Sequence, residues 1–508
     1  MIRSRSSPKP DQQTIVVKSA VASRLLLLSL ILLWRTLLSP YDTSASLNPN
    51  CLNQHPSPPH AHAHPNPQQQ PPLWPTLASA IESSVVWDGV YFVRIAQCGY
   101  EYEQSYAFLP LLPLCISMLS RTVFAPLVPV IGQRAVLGLS AYVINNIAFV
   151  FSAVYFYRLS VIILKDTEAA LRASILYCFN PASIFYSSVY SESLYALFSV
   201  GGLYHLISGK NSIAVLWLAL SGCARSNGIL NAGYVCFQTM HLAYVAVLRK
   251  RPVLAMQVIC GGALRSICIF APFAAFQAYG YYNICLGHLP NEMRPWCKAR
   301  IPLLYNYIQS YYWGVGFLRY FQLKQLPNFL LASPILSLAV FSIVQYAKSE
   351  PEKFFSLGFR ASAEDKNSAA VLFSLEANLR ANNSHVKENS SRKVKENHDL
   401  RPKKQKVKEE APPLLLEPHE ALANRGYLSV FVLPFILHMG FMAATAFFVM
   451  HVQVSTRFLS SSPPLYWFAS YLMKSPGSYR RWGYMIWAYS AAYILLGSLL
   501  FSNFYPFT

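Results

Sequence analysis

The sequence predicts an all-α polytopic membrane protein, and three observations support this fold class. The 508-residue chain is apolar, with a mean hydropathy of +0.29 and only 13% charged residues, whereas soluble proteins average about 25%. Its apolar segments are long enough to span a hydrocarbon core of about 30 Å as helices. Its charges are concentrated in residues 348–425, which hold 15 of the 42 Lys and Arg and 12 of the 22 Asp and Glu.

The net charge of +20 does not indicate a nucleic-acid partner, because such proteins gather their basic residues on one polar surface. Acidic residues are scarce outside 348–425, so a reaction that needs a carboxylate must use one of a small set. These ten acids are Asp11, Asp42, Glu82, Asp88, Glu101, Glu103, Asp166, Glu168, Glu192 and Glu292.

The first membrane anchor is predicted over residues 19–39, an apolar run. It is longer than a signal-peptide core and lacks a small-residue cleavage site, so we expect it to be retained. Basic residues precede it, which places residues 1–18 in the cytoplasm by the positive-inside rule. Arg24 and Arg35 lie near its two ends, and we expect their side chains to extend to the membrane interface.

Residues 40–105 are then predicted to form a lumenal loop. Its part 48–75 is rich in Pro, His and Gln and cannot build a core, so we expect a disordered spacer. Metal binding by the histidines of this spacer is the less favoured alternative. These histidines are His55, His60, His62 and His64.

The rest of the chain divides into three parts. Residues 106–347 are predicted to form a transmembrane bundle, 348–425 a charged, flexible cytoplasmic loop, and 426–508 C-terminal membrane helices with a lumenal loop. The lengths of the apolar segments predict about ten to twelve spans in total.

This topology has two consequences. The glycosylation sequons at Asn382 and Asn389 lie on the cytoplasmic side, where they would stay unmodified. The loops around Asp88 and Arg457 share the lumenal face.

Ten cysteines raise the question of disulfides. Cys285 and Cys297 flank a polar loop and could pair if that loop faces an oxidising lumen, but spacing alone leaves the pairing open. Six others lie inside apolar segments, where we expect them to act as small buried hydrophobic residues. These six are Cys115, Cys178, Cys223, Cys236, Cys260 and Cys268.

The segment 87–110, WDGVYFVRIAQCGYEYEQSYAFLP, concentrates acids directly before an apolar segment. From Asp88 to Gly99 its pattern predicts a short amphipathic helix at the membrane surface, with Trp87 and Tyr91 at the interface. Asp88 would lie at the helix start, where free backbone N–H groups favour a carboxylate. Asp88 could be merely a helix cap, but the scarcity of acids elsewhere favours a functional carboxylate.

Two further segments place polar residues between apolar flanks. In 178–197, hydroxyl groups accompany Asn180 and Glu192, which suits a polyol ligand, although serines equally join packed helices. Arg225 and Asn227 interrupt an apolar region. A cation there could hold a lipid phosphate, or it could lie in a short turn between two spans.

Arg457 belongs to the loop HVQVSTRFLSS, together with His451 and Gln453. The predicted topology makes this loop lumenal, where an arginine beside the membrane is less expected. The cationic loop 294–300 is a weaker candidate, because its charges could equally mark a cytoplasmic end.

Four segments together resemble the GPI mannosyltransferase 2 (PIG-V) family: residues 87–113, FNPASIFYSSVYSESLYALF, ARSNGILNAGY and HVQVSTRFLSSSPPLYW. The resemblance extends from about residue 80 to the C-terminus, in the order of the family. The spacer at 48–75 is peculiar to this chain, and the long insert at 348–425 is of a kind that we associate with plant members. The resemblance implies a glycosyltransferase of the GT-C type, a multi-pass protein of the endoplasmic reticulum membrane with a lumenal active site.

The resemblance also implies a reaction. The donor would be dolichyl-phosphate mannose, the acceptor a mannosyl-glucosaminyl-phosphatidylinositol, and the new bond α-1,6. A β-linked donor means inversion, for which one carboxylate base is sufficient. In the GT-C type this base is an acid of the first lumenal loop, which is the place of Asp88. Arg225 and Arg457 would stabilise the departing phosphate.

Asp88 is therefore the expected catalytic residue. The resemblance implies no metal and no other cofactor; the first loop lacks a D-x-D triplet, for which the ExE at 101–103 is a weak substitute. The expected substrate-binding residues are Trp87, Arg94, Glu101, Glu103, Asn180, Glu192, Arg225, Asn227 and Arg457.

Three classes of function compete on the residues alone: a lipid-linked sugar transferase, a secondary transporter and a scaffold subunit. A transporter places ionisable residues within broken helices at mid-membrane, whereas here the acids gather on one loop, and a scaffold needs no such cluster. A transferase of another dolichol-phosphate sugar is the main alternative that remains. The expected partners are the donor, the GPI precursor glycolipid, the endoplasmic reticulum membrane and a small accessory subunit, with no nucleic acid.

Overall fold

The computed structural model describes residues 11–41, 51–52, 71–286, 293–375, 426–474 and 478–505. Over these residues the regular elements are helices without a strand, which confirms the all-α prediction. The first helices are α1 (Gln12–Leu37), α2 (Pro75–Ser84), α3 (Asp88–Cys98), α4 (Leu111–Arg121), α5 (Val128–Ile131), α6 (Gln133–Leu164), α7 (Thr167–Cys178), α8 (Ser183–Ser187) and α9 (Glu192–Ile207). The middle helices are α10 (Asn211–Ala224), α11 (Ala232–Leu248), α12 (Pro252–Cys285), α13 (Leu304–Tyr311) and α14 (Leu326–Ser349). The last are α15 (Pro351–Phe355), α16 (Ala363–Ser368), α17 (Ala370–Phe373), α18 (Leu433–Phe448), α19 (Ser455–Leu459), α20 (Pro463–Lys474) and α21 (Ser478–Ser502).

Six described helices are long and apolar enough to cross a membrane, or seven if α4 and the segment Ala125–Ile131, bent by 68°, form one broken span. This is fewer than the ten to twelve expected, because the apolar segments 168–208 and 211–248 fold as shorter helices with polar breaks between them: α7, α8 and α9 in the first segment, and α10 and α11 in the second. α9, for example, has 16 residues and a length of about 24 Å. The six are Gln12–Leu37, Gln133–Leu164, Pro252–Cys285, Leu323–Ser349, Val430–Phe448 and Arg481–Ser502.

The N-terminal helix α1 starts before the predicted anchor at 19–39. No glycine or proline interrupts residues 11–39, and Pro40 follows shortly after the helix end, where proline disfavours a continuing helix. Arg35, in its last turn, donates a hydrogen bond to the main-chain oxygen of Ser502 at 3.2 Å. This contact joins α1 to the end of α21.

Arg24 does not extend to the membrane interface, so this prediction was wrong. Its side chain is buried and donates to the main-chain oxygens of Cys178 and Ser183, at 3.3 and 3.1 Å, and to the hydroxyl of Ser187 at 3.0 Å. Its guanidinium also lies 3.8 Å from the ring centroid of Phe149. The last carbonyl groups of a helix lack helical partners, and Arg24 supplies donors where α7 ends and α8 begins.

An aromatic core surrounds α6. The rings of Phe156 and Tyr177 stack with centroids 4.6 Å apart, and Tyr466 meets both rings edge-on. The indole N–H of Trp467 donates to the hydroxyl of Ser160 at 2.8 Å. α6 has 32 residues, about 48 Å, and therefore connects the two ends of the molecule.

The first part of the charged insert is folded, which corrects the prediction of one flexible loop over 348–425. α15, α16 and α17 follow α14 directly. Lys353 is buried between Glu350 and Asp365, with nitrogen–oxygen distances of 3.1 and 2.9 Å. These three charges are therefore paired within a packed part of the structure.

Several predicted features lie outside the described residues. They are the cytoplasmic residues 1–10, most of the spacer 48–75 with His55, His60, His62 and His64, the insert residues 376–425, and the sequons at Asn382 and Asn389.

Two disulfides are present. Cys285 pairs with Cys297, which confirms the pairing that the sequence left open. Cys51 pairs with Cys98, which was not predicted because the two cysteines are 47 residues apart. Of the six cysteines expected to be buried, only Cys178 is; Cys115 and Cys223 are partly exposed, and Cys236, Cys260 and Cys268 are exposed.

We predict that Arg24→Ala lowers the free energy of unfolding by about 3 kcal/mol or more, because several buried oxygen acceptors lose their charged donor. Thermal unfolding of the protein in detergent measures this effect. Arg158→Ala is the matched control, since the Arg158 side chain is exposed and contacts only Gln13. Equal unfolding temperatures for the two variants would contradict the role of Arg24.

Candidate active site

Asp88 is the first residue of α3, as predicted, and follows a strained residue. Trp87 has φ = 54° and ψ = −131°, a conformation that costs a non-glycine residue about 1–3 kcal/mol. Its indole N–H donates to the main-chain oxygen of Phe501 at 3.1 Å, and its ring packs against Phe504 with centroids 5.6 Å apart. These contacts with the C-terminal segment stabilise the turn from which Asp88 emerges.

Asp88 lies between Tyr190 and Arg457. Its main-chain N–H donates to the hydroxyl of Tyr190 at 3.1 Å, and its Oδ2 lies 3.2 Å from Nη1 of Arg457. The Asp88 side chain remains 39% exposed, so a ligand can reach it. The contact with Arg457 places the two motif loops on one face, as the predicted topology requires.

Glu192 is enclosed behind the two arginines. It is the first residue of α9 and only 2% of the residue is exposed. Its Oε1 forms an ion pair with Arg225 and lies 3.2 Å from Nε of Arg457, although the latter contact lacks hydrogen-bond alignment. A buried carboxylate is stable only when it is paired. This position favours a role in holding the arginines over a contact with substrate.

Arg457 is held by charge and by aromatic rings. It lies on the one-turn helix α19, with its guanidinium 5.2 and 5.4 Å from the ring centroids of Phe185 and Tyr190. Burial acts to lower its pKa, but the carboxylates of Glu192 and Asp88 outweigh burial and raise the pKa above its ordinary value. Arg457 therefore stays charged throughout the accessible pH range.

Arg225 lies in the break between two helices, which was one of its two predicted positions. α10 ends at Ala224, and a 3₁₀ segment, Ser226–Asn231, leads to α11. The Arg225 side chain is 16% exposed. The helix break brings its guanidinium to Glu192 and to the same cavity as Arg457.

These side chains surround a cavity of about 400 Å³, within the range of small-molecule sites. Trp87, Asp88, Arg225 and Arg457 line it. The cavity offers a carboxylate that can accept a proton and two guanidinium groups that can hold an anion such as a phosphate. The rest of its lining is mainly aromatic, aliphatic and amide side chains.

Arg94 and Glu101 pair with each other and do not line this cavity. Nε and Nη2 of Arg94 lie 2.8 and 2.7 Å from Oε2 of Glu101. The main-chain N–H of Leu52 donates to Oε1 of Glu101 at 2.5 Å. This pair joins the end of α3 to the loop that the Cys51–Cys98 disulfide anchors, and a substrate contact for either residue stays a prediction.

Glu103 is also engaged by protein groups outside the cavity. Its Oε1 accepts from the indole N–H of Trp296 at 2.7 Å, and its Oε2 accepts from the hydroxyl of Tyr312 at 2.8 Å. Burial and the Glu103 carboxylate raise the pKa of Tyr312 to about 12, so this hydrogen bond persists at neutral pH. Glu103 therefore fastens the loops around Trp296 and Tyr312 to the start of the bundle.

Asn180 and Asn227 are buried and do not line the cavity. Asn180 accepts from the main-chain N–H of Ala182 at 2.9 Å and donates to the main-chain oxygen of Tyr177, so it shapes its own turn. The amide atoms of Asn227 have no hydrogen-bond partner among the described residues. Substrate binding by either residue stays a prediction.

Segment 304–315 was not predicted as part of the site, but it supplies Tyr305, Gln309 and Trp313 to the cavity. Its signal was present, because LYNYIQSYYWGVG combines aromatic and amide residues with a glycine turn. Tyr190, which contacts Asp88, lies in the hydroxyl-rich segment 178–197, and the sequence pattern does not distinguish it from the other hydroxyl residues there.

One group of potential metal ligands occurs within the described part of the chain: Cys51, Cys98 and Glu101. Both sulfur atoms of this group are joined in a disulfide. The carboxylates of Glu101 and Glu103 do not converge, since each has the separate partners described above.

Comparison with known proteins places the chain in a protein family. The family model described as "Mannosyltransferase (PIG-V)" matches residues 12–508. The chain is 31% identical over 413 residues to GPI alpha-1,6-mannosyltransferase 2 of Mus musculus, covering 76% of this chain and 72% of the relative. It is 28% identical over 459 residues to GPI mannosyltransferase 2 of Drosophila melanogaster, covering 83% and 86%. No solved structure matches the chain.

We predict that Glu192→Gln lowers the free energy of unfolding by about 3–5 kcal/mol, because two partly buried arginines lose their common counter-charge. Glu168→Gln is the control: the Glu168 side chain is 79% exposed in its pair with Arg172, and its loss should cost less than about 0.5 kcal/mol. Thermal unfolding in detergent separates the two variants. A Glu192→Gln protein as stable as the control would show that Glu192 does not hold the arginines.

Proposed function

Because the chain belongs to the mannosyltransferase (PIG-V) family, we propose that it transfers mannose from dolichyl-phosphate mannose to the GPI anchor precursor. The new bond is α-1,6, and the reaction takes place at the lumenal face of the endoplasmic reticulum membrane. The observation that carries this proposal is the alternating series Asp88, Arg457, Glu192 and Arg225 at one cavity. The relatives that are named GPI alpha-1,6-mannosyltransferase 2 support the choice of acceptor and linkage.

In the proposed reaction, the 6-hydroxyl of the acceptor mannose attacks C1 of the donor mannose. Asp88 takes the hydroxyl proton as general base, the bond from C1 to the phosphate oxygen breaks, and that oxygen keeps the electron pair. A single displacement converts the β-linked donor into an α-linked product. Arg225 and Arg457 stabilise the dianionic phosphate as it leaves.

The pairing of Asp88 with Arg457 suits this mechanism. Oδ2 of Asp88 lies 3.2 Å from Nη1 of Arg457, so the base and the cation face the same part of the cavity. Arg457 has a second carboxylate partner in Glu192, which keeps the guanidinium in place when a phosphate binds beside Asp88. In this proposal, Asp88 and Arg457 stay side by side when the donor phosphate binds, and no large rearrangement is needed.

A second cavity supports a lipid-linked donor. It has a volume of about 370 Å³ and lies between α11, α12 and α18, with Phe237, Phe270 and Phe441 in its lining. Ile229 and Leu230, from the 3₁₀ segment that follows Arg225, complete one side. An apolar cavity next to a phosphate-binding arginine suits the isoprenoid chain of dolichyl phosphate.

The disulfides support a lumenal orientation. Cys98, which forms a disulfide with Cys51, is the last residue of α3. It lies about 15 Å along the helix from Asp88. Disulfides persist in oxidising compartments. The folded part of the charged insert lies at the opposite end of α6, where Lys165 donates to the main-chain oxygen of Ser368. Basic residues at that end agree with a cytoplasmic face.

We predict that Asp88→Asn lowers mannose transfer by about 100-fold or more, the usual contribution of a general base, while the protein stays folded and membrane-inserted. The measurement is the recovery of surface GPI-anchored proteins in cells that lack this activity. Asp166→Asn is the control, because Asp166 caps α7 and asparagine is an equally good N-cap. Full recovery with Asp88→Asn would remove Asp88 from the catalytic role.

A further inference from the structure

The charged side chains at the cavity cancel one another in formal charge. Arg225 and Arg457 are positive, and they are paired with the negative side chains of Glu192 and Asp88. In the proposed reaction the donor phosphate is a diester with one negative charge, and it leaves as a monoester with two. The arginines must therefore serve the protein carboxylates and this phosphate together. A further hydrogen-bond donor without a charge of its own would stabilise the departing phosphate.

Tyr305 provides an uncharged hydroxyl beside Arg225. The hydroxyl of Ser226, the residue that directly follows Arg225, donates to the hydroxyl of Tyr305 at 2.7 Å. Arg225, Ser226 and Tyr305 all line the cavity, as does Arg457. Arg457 shares Oε1 of Glu192 with Arg225, so the two guanidinium groups lie in the same region. The Tyr305 hydroxyl therefore lies in the cavity lining next to the cations.

The position of Tyr305 is fixed by contacts with α12. The main-chain N–H of Tyr305 donates to Oε1 of Gln277 at 2.8 Å. The Tyr305 ring meets the ring of Phe273 edge-on, with centroids 5.8 Å apart. Gln277 and Phe273 both belong to α12. Together with the hydrogen bond from Ser226, these contacts hold the hydroxyl in place without the help of a ligand.

The proton of the Tyr305 hydroxyl is available to a ligand. A phenol has one proton to donate and can also accept, and the contact with Ser226 uses it as an acceptor. Within the part of the chain that the structure describes, no group accepts the Tyr305 proton. Burial raises the pKa of Tyr305 above its ordinary value and outweighs the Ser226 hydrogen bond and the two guanidinium charges, which act to lower it. Tyr305 therefore stays protonated at neutral pH and remains a donor.

We propose that the Tyr305 hydroxyl donates a hydrogen bond to the phosphate of the lipid-linked donor, as a third binding group beside Arg225 and Arg457. The proposal rests on the proposed function. Neighbouring donors from two guanidinium groups and a phenol suit an oxyanion. The hydrogen bond strengthens as the bond from C1 to the phosphate oxygen breaks, because the phosphate then gains its second negative charge. Tyr305 keeps its proton throughout, and the proton of the acceptor hydroxyl still goes to Asp88.

The first test measures binding without turnover. Titration calorimetry compares farnesyl phosphate, a short isoprenoid phosphate, with farnesol, which has the same chain and no phosphate, on the purified full-length protein in detergent. We expect Tyr305→Phe to weaken binding of farnesyl phosphate about 10-fold or more, the factor that a hydrogen bond to a charged group provides. Binding of farnesol and the unfolding temperature should not change, because phenylalanine keeps the ring. Tyr311→Phe is the matched control, since Tyr311 belongs to the same helix, is exposed and does not line the cavity.

The second test measures mannose transfer with each substrate varied separately. We expect Tyr305→Phe to lower kcat about 10-fold or more and to leave KM for the acceptor unchanged, because the hydrogen bond is strongest in the transition state. Ser226→Ala should lower kcat about 3-fold in the wild-type background, and by no further amount in the Tyr305→Phe background, since Ser226 acts through Tyr305. A merely structural role of Ser226 would instead give the same loss in both backgrounds.

Three results would overturn the role of Tyr305 even if the protein transfers mannose. One is binding of farnesyl phosphate by Tyr305→Phe that is as tight as binding by Tyr311→Phe. Another is an equal loss of affinity for farnesyl phosphate and farnesol, which would place Tyr305 against the lipid chain. The third is a rise in KM for the acceptor alone, which would place the hydroxyl against the acceptor sugar. The expected loss of farnesyl phosphate binding in a protein that transfers no mannose would support Tyr305 as a phosphate ligand and contradict the proposed function.

Discussion

The structure around the cavity depends on one buried carboxylate. Glu192 is almost fully enclosed and is compensated by Arg225 and Arg457, because the low-dielectric interior does not tolerate it alone. The two arginines depend equally on Glu192, because neighbouring guanidinium groups repel each other unless an anion lies between them. Asp88 adds a second, accessible negative charge beside Arg457. This alternation fixes the two arginines beside an accessible carboxylate.

The same requirement explains why the apolar segments are broken into short helices. Irregular backbone at membrane depth is tolerated where it is buried in protein or lines a cavity. Glu192 follows the turn between α8 and α9, Arg225 lies between α10 and α11, and Arg457 lies on the one-turn helix α19. The breaks bring Arg225 and Arg457 to one cavity and place Glu192 behind them as their common partner.

The fold class, the helix that begins at Asp88 and the placement of the Asp88 and Arg457 loops on one face followed from the apolar segments, the scarce acids and the charge asymmetry. The direct contact between Asp88 and Arg457 was not predicted. Local sequence patterns did not show which residues, distant in the sequence, a polar side chain contacts in the folded protein. Arg24 was expected at the interface, but the carbonyl groups at the end of α7 provide a buried site for it. Glu101 and Glu103 looked like site acids, yet Arg94, Trp296 and Tyr312 occupy their oxygens. Segment 304–315 was not predicted as part of the site, although its aromatic and amide residues before a glycine turn are visible in the sequence.

The chain is a membrane mannosyltransferase by family. What remains to be tested is which donor it uses and which acceptor receives the mannose. The most direct measurement supplies labelled dolichyl-phosphate mannose and the one-mannose GPI precursor to microsomes whose only source of this activity is the present chain. The account predicts a two-mannose glycolipid whose new bond is cleaved by an α-1,6-specific mannosidase. No labelled glycolipid, or a label on a different acceptor, would contradict it.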